Sequence, residues 1–215
     1  MEYNFLVLGL IAITAIVSIK GFEDLTFYRK YLFHIGSIRS GEQFRMITSG
    51  FLHVDPMHLL FNMITLFSFS SVVSQFFGTT YFFIIYFASL LLGSMLTLYF
   101  HKNEYNYSAV GASGAVTGIL YAAILLQPYL PLNLMFIPID IPGYIFGIIY
   151  LLYSIYGMKA KNDNIGHTAH IGGAIGGYVF TLIKEPAVFI NNPLIVIGLA
   201  IPILIMFVMA KQGKL

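Results

Sequence analysis

The sequence predicts an all-α, polytopic transmembrane helix bundle, and three observations carry that expectation. Hydrophobic residues make up 58% of the chain and charged residues only 9%, the mean hydropathy is +0.83, and the apolar residues gather into stretches near the roughly 20 residues that cross about 30 Å of hydrocarbon. A water-soluble domain carries about 25% charged residues, so this chain lacks the polar surface to stand in water. Its 215 residues fit one domain, 1–215, and no linker, charge block, low-complexity tract or long-period repeat divides them. Without Cys there is no disulfide framework and no thiolate metal site, and a net charge of +2 is too small to point to nucleic acid.

Hydropathy places seven spans, at about 3–19, 57–77, 79–100, 113–127, 141–158, 167–184 and 193–210. The first has no basic start and no small-residue cleavage site after Ser18, so it is expected to be a retained span and not a signal peptide. The connection from Lys20 to Pro56 mixes charges with Phe27, Tyr28, Tyr31, Phe33, Phe44 and Phe51, a composition suited to short helices at the membrane interface. The fourth span is short and is approached through Gly111 and Gly114 after the polar run His101–Tyr107, which predicts a first turn sunk below the membrane surface. The remaining Tyr and Phe are expected to serve as lipid-facing bulk and interfacial belts.

Orientation is contested within the sequence. An N-terminus inside would put Lys20, Arg29, Lys30, Arg39, Arg45, Lys102, Lys159, Lys161, Lys211 and Lys214 on the outer side and leave Lys184 on the inner side. The positive-inside rule favours the reverse.

Polar residues within the spans are few, and an ionisable group in hydrocarbon costs about 2.5–3.5 kcal/mol on insertion scales. Four histidines, His53, His58, His167 and His170, fall at or near helix starts. His58 and Asn62 are four residues apart and therefore share a helical face. His170, Gly173 and Gly177 also share one face, and Gly114 and Gly118 form a matching small-residue face that begins one residue after Ser113. Contact between those faces would bring Ser113 beside His170. A Ser hydroxyl becomes a nucleophile when a base takes its proton, and imidazole is suited to that near neutral pH. His58, Asn62 and the Ser113 N–H could then donate to a developing oxyanion, helped by the helix start at Ser113. No Asp or Glu lies well inside a span to complete a triad, so a hydrolytic mechanism would run on two residues.

The run His53-Val-Asp-Pro-Met-His58-Leu-Leu-Phe-Asn62, the segment Gly111-Ala112-Ser113-Gly114 and the run Ala169-His170-Ile-Gly-Gly173-Ala-Ile-Gly-Gly177 together resemble the rhomboid family of intramembrane serine proteases. The motifs stand in the family's order, and the resemblance covers a six-helix core at about 1–186, with the span at about 193–210 as an extra C-terminal helix. It implies that Ser113 is the nucleophile, His170 the general base, and His58 and Asn62 the oxyanion groups. It further implies substrates that are transmembrane or membrane-anchored proteins, no metal or organic cofactor, and a site opening to the extracytoplasmic side of what would be a prokaryotic inner membrane. The fifth span and the loop 158–166 would move to admit substrate. Phe44-Arg45 stands where the family often has Trp-Arg, which makes Arg45 a loop anchor. Thr117 replaces an aromatic that packs on the base in many members, and Ser74-Gln75 replaces an acidic residue.

Blander readings exist for each feature. Gly and Ser are common at helix crossings in membranes, His58 and Asn62 could tie the second helix to its neighbours, and His53 and His167 could be a loop cap and an interfacial residue. A transporter would use intramembrane His and broken helices, but no paired halves or coupling acids are present. A catalytically silent rhomboid-like protein that binds transmembrane helices is compatible with Thr117. A metal site of His53, His58, His167 and His170 lacks the spacing of a zinc protease.

Overall fold

The structure is a computed structural model that describes residues 4–134, 137–160 and 165–215. Helix α1 (Phe5–Glu23) starts at Asn4, whose side-chain oxygen accepts from the N–H groups of Leu6 and Val7. It stops at Asp24, whose carboxylate accepts from Thr26 and Phe27 and so caps α2 (Leu25–Tyr31). The Phe27 N–H and the Lys20 ammonium hold that carboxyl below its ordinary pKa.

The expected interfacial connection is ordered. After α2 it forms the two-residue strand β1 (Phe33–His34), α3 (Ile35–Arg39), α4 (Arg45–Thr48) and a single 3-10 turn (Ser49–Phe51). Arg45 holds it together from a buried position. Its guanidinium donates to the carbonyls of Arg29 (2.8 Å) and Leu32 (3.1 Å) and to the Glu42 carboxylate (2.5 Å).

Asp55 caps the start of α5 (Pro56–Phe100) by accepting from the His58 N–H at 2.8 Å, with Pro56 in the first helical position. This element comprises the expected second and third spans, joined at Gly78, whose φ of 78° and ψ of 163° reverse the chain in a conformation that suits only glycine. The polar run 101–107 leads to strand β2 (Ser108–Ala109), which pairs antiparallel with β1. Helix α6 (Ser113–Leu126) follows. Strands β3 (Pro131–Leu134) and β4 (Ile137–Pro142) then form an antiparallel hairpin absent from the sequence expectation. It takes up Ile141 and Pro142, so α7 (Gly143–Ala160) begins two residues later than the fifth span was placed. Helix α8 (His167–Lys184) coincides with the sixth span, and α9 (Ala187–Asn191) and α10 (Pro193–Lys211) complete the chain.

Helices α1, α5 and α10 are long and apolar enough to cross a membrane. At 1.5 Å per residue, α6 is only about 21 Å long, shorter than the hydrocarbon layer, and Gly114 through Leu125 are all buried. It is the central helix, enclosed by both arms of α5 and by α8, while α7 leans mainly on α10 and α8 and only lightly on α6. Large apolar side chains such as Phe5, Leu194 and Ile190 face outward on the peripheral helices, as lipid contact requires. The expectation that Tyr and Phe are all peripheral is corrected here, since Phe82, Tyr86 and Tyr121 are completely buried. Tyr121 justifies its burial by donating its hydroxyl proton to the Gly147 carbonyl at 2.6 Å, linking α6 to α7.

Candidate active site

The glycine faces meet as their spacing predicts. A Cβ on Gly173 would fall on the carbonyl of Gly114, and one on Gly177 would fall on the carbonyl of Gly118. The backbones of α6 and α8 are therefore in direct contact. A second pair of glycines packs α8 against the 79–100 arm: Cβ atoms on Gly172 and Gly176 would lie 2.6 Å from the Leu92 carbonyl oxygen and 2.6 Å from Ser89 Oγ. Helix α8 is thus held between two backbones at close quarters.

That contact sets the two N-termini side by side. His170, in the first turn of α8 and 8% exposed, has its Nε2 at 2.8 Å from Ser113 Oγ, on the first residue of α6. Among the described residues no side chain caps α6, so the N–H groups of its first turn, which begins at Ser113, keep no intrahelical partner.

The approach to Ser113 is built by the first connection. The β1–β2 pair holds residues 108–109, the Ser49 carbonyl accepts from the Gly111 N–H at 3.0 Å, and His53 Nε2 accepts from the Ala112 N–H at 3.3 Å. Gly111 turns the chain with φ of 131°. A side chain there would also be obstructed, because its Cβ would lie 2.8 Å from His58 Cε1, 3.1 Å from His58 Nε2 and 3.6 Å from Ser113 Oγ. The His58 ring and the Ser113 hydroxyl therefore flank the same backbone atom. His58 Nδ1 is buried and makes no hydrogen bond among the described residues. Asn62 is one turn further along, 6% exposed, with its amide donating to the His58 carbonyl at 2.9 Å and its second N–H making no hydrogen bond among the described residues.

The bonding of His53 assigns its protons. The single hydroxyl proton of Ser18 goes to the Phe51 carbonyl at 2.9 Å, so Ser18 Oγ must accept from His53 Nδ1–H at 2.8 Å. Nε2 is left unprotonated, as the Ala112 N–H requires. Burial, with His58 nearby, pushes the His53 pKa down to about 3, against a weaker opposing effect of Asp55. The two rings meet edge to face at 4.9 Å.

Residues 40–186 match the sequence profile of the Rhomboid domain. This chain belongs to the rhomboid family. RHOMBOID-like protein 12, mitochondrial, of Arabidopsis thaliana is 30% identical over 185 residues, covering 78% of this chain and 55% of that protein. Rhomboid protease GluP of Bacillus subtilis (strain 168) is 36% identical over 141 residues, 66% of this chain and 26% of that protein. Putative rhomboid protease YdcA of the same bacterium is 31% identical over 146 residues, 68% and 69% respectively. The chain spans about a quarter to a half of the length of the first two. Rhomboid membership and the apolar helices make it an integral membrane protein of a family whose members are generally intramembrane serine proteases.

Within this rhomboid fold, the sequence-predicted Ser113, His170, His58 and Gly111 come together, Asn62 lies one helical turn beyond His58 and is bonded to its carbonyl, and Arg45 anchors the first connection at a distance in sequence. His167, expected at the interface, is instead buried, its ring occupying the place a Gly157 side chain would need and packing edge to face on Tyr153 at 5.5 Å. Sequence reasoning missed Ser18 and left His53 without a role. The small polar Ser18 in an apolar span was the available signal. It also missed Tyr150, considered below.

Proposed function

We propose that this chain is an intramembrane serine endopeptidase that cleaves transmembrane or membrane-anchored proteins through a dyad of Ser113 and His170. The observation that carries this reading is the 2.8 Å separation of His170 Nε2 and Ser113 Oγ, within reach for direct proton transfer. His170 takes the hydroxyl proton as Oγ bonds to the scissile carbonyl carbon, then delivers it to the departing amine. A water, deprotonated by the same nitrogen, releases the acyl group from Ser113. The charge on the carbonyl oxygen is met by the N–H groups opening α6, the Asn62 amide and the His58 ring. Gly111, Gly114, Gly118, Gly173 and Gly177 keep the helices close enough for the dyad to form. The reading needs no metal and no organic cofactor.

The same reading takes residues 1–215 as one membrane domain, a six-helix core at about 1–186 with α10 added to it. It places the chain in a prokaryotic inner membrane with Ser113 toward the extracytoplasmic side, and it assigns α7 and the connection 158–166, of which 161–164 lie outside the described residues, the task of admitting substrate. The deciding experiment is cleavage of a single-span reporter by the purified protein in liposomes, with the products identified by mass spectrometry. Cleavage by the wild type and none by Ser113→Ala is expected. Equal cleavage by both would remove the mechanism, and no cleavage by either folded protein across several reporters would favour a silent helix-binding relative.

A further inference from the structure

Thr117 lies one turn beyond Ser113, and its hydroxyl donates to the Ser113 carbonyl at 2.7 Å. Having one proton, it must accept from the Tyr150 hydroxyl, 3.2 Å away on α7. The ring of the same tyrosine lies against the imidazole of His170, with centroids 5.6 Å apart and planes inclined by 26°. One side chain thus touches both sides of the dyad, its ring on the base and its hydroxyl on the residue bonded to the nucleophile's carbonyl.

The hydrogen bond to Ser113 Oγ fixes one atom of the imidazole, the His167 ring meets it edge to face at 6.1 Å, and the outer torsion of a histidine is intrinsically broad. A flat partner on its face narrows that torsion further, in the offset arrangement aromatic pairs favour. Phe146 backs Tyr150 in turn, its ring nearly parallel at 11° and 5.9 Å. This platform is mounted on neither helix of the dyad. It belongs to α7, which rests lightly on α6 through Tyr150 and the bond from Tyr121 to Gly147.

We propose that Tyr150 is a positioning residue for His170, so that alignment of the base improves while α7 lies against α6. The proposal rests on the Ser113–His170 reading. It joins the helix assigned to substrate admission to the alignment of the base: displacement of α7 takes the platform away, and its return restores it.

The test uses a small fluorophosphonate, which needs the dyad but no passage of a transmembrane segment. Ser113 Oγ bonds to phosphorus, fluoride leaves, and His170 receives the hydroxyl proton. Labelling rate, kcat and KM on the single-span reporter, and the thermal transition are measured for Tyr150→Phe, Tyr150→Leu and Tyr150→Met. Phe keeps the platform and should label within about threefold of wild type. Leu and Met should fall by about tenfold to a hundredfold in labelling and in kcat, with KM and the thermal transition little changed. Wild-type labelling rates in folded Leu and Met variants would overturn the proposal, as would an equal loss in Phe, or loss of the folded state in both Leu and Met, which would make Tyr150 a structural pillar. A wild type that is not labelled, or a Ser113→Ala protein that is, would end the dyad reading itself.

Discussion

The carbonyl oxygen of Gly114 occupies the place that a side chain on Gly173 would need. Since a carbonyl within a helix cannot swing aside as a side chain can, Gly173→Val must drive α6 and α8 apart. Overpacking commonly costs about 1–3 kcal/mol, and a backbone obstruction should exceed that. Gly173→Val is expected to lose its cooperative thermal transition in detergent together with all reporter cleavage. A stable, active variant would contradict the direct helix contact.

His53 predicts an acid limit to stability. Its pKa is lowered from the unfolded value of 6.5 to about 3 in the fold, so below 6.5 the unfolded chain binds the proton that the native state refuses. Its stabilising contribution is fully present above 6.5 and is lost as the pH falls toward 3, at up to about 1.4 kcal/mol per pH unit. The melting temperature of wild type should fall across that window, and His53→Gln should fall less steeply. Parallel curves would show that another group governs the acid transition.

The Asn62 amide keeps one N–H after donating to the His58 carbonyl, one turn along α5 from the His58 ring that flanks Gly111. If that donor meets the oxyanion, Asn62→Ala should lower kcat by about a hundredfold or more and leave KM nearly unchanged. His58→Ala should act in the same direction. An effect confined to KM would place these residues in substrate binding.

The absence of cysteine makes topology directly measurable. Lys102→Cys, on the end of the bundle that carries Ser113, should react with a membrane-impermeant maleimide added to intact cells. Glu185→Cys, at the far end of α8, should react only after permeabilisation. The reverse pattern would follow the Lys/Arg bias and would turn the site toward the cytoplasm. Two of the residues behind that bias are engaged in the fold: Arg45 is buried on carbonyls, and Arg39 donates to the Lys102 carbonyl at 2.6 Å over the Tyr105 ring.

Much of this arrangement was legible because glycine and apolar periodicity act locally. The span boundaries at Gly78, the start of α8 at His167 and the facing of Gly114 and Gly118 on Gly173 and Gly177 follow from spacing alone. The Gly111–Gly114 turn marked the start of α6 at Ser113 for the same reason. What spacing could not reveal was contact made across the fold. His53 accepts from an amide 59 residues away. Tyr150 reaches His170 from another helix, and in sequence it is one more tyrosine in an apolar run. The β3–β4 hairpin escaped notice because Ile, Leu and Pro beside a span read as its continuation. By the rhomboid resemblance Thr117 left His170 without an aromatic neighbour, and Tyr150 of α7 lies against its ring.

The double glycine faces of α8 have a consequence for life in different membranes. Where helices meet through side chains, a change of tilt can be absorbed by new rotamers. Here the spacer between α6 and α8 is peptide backbone, which has no rotamers to change. Adjusting to a thinner or thicker bilayer by tilting must then carry α6, α8 and the 79–100 arm together, as a rigid wedge. Lipid-facing positions on α1 and α10 are left free to match the host bilayer while the distance between Ser113 and His170 stays constant.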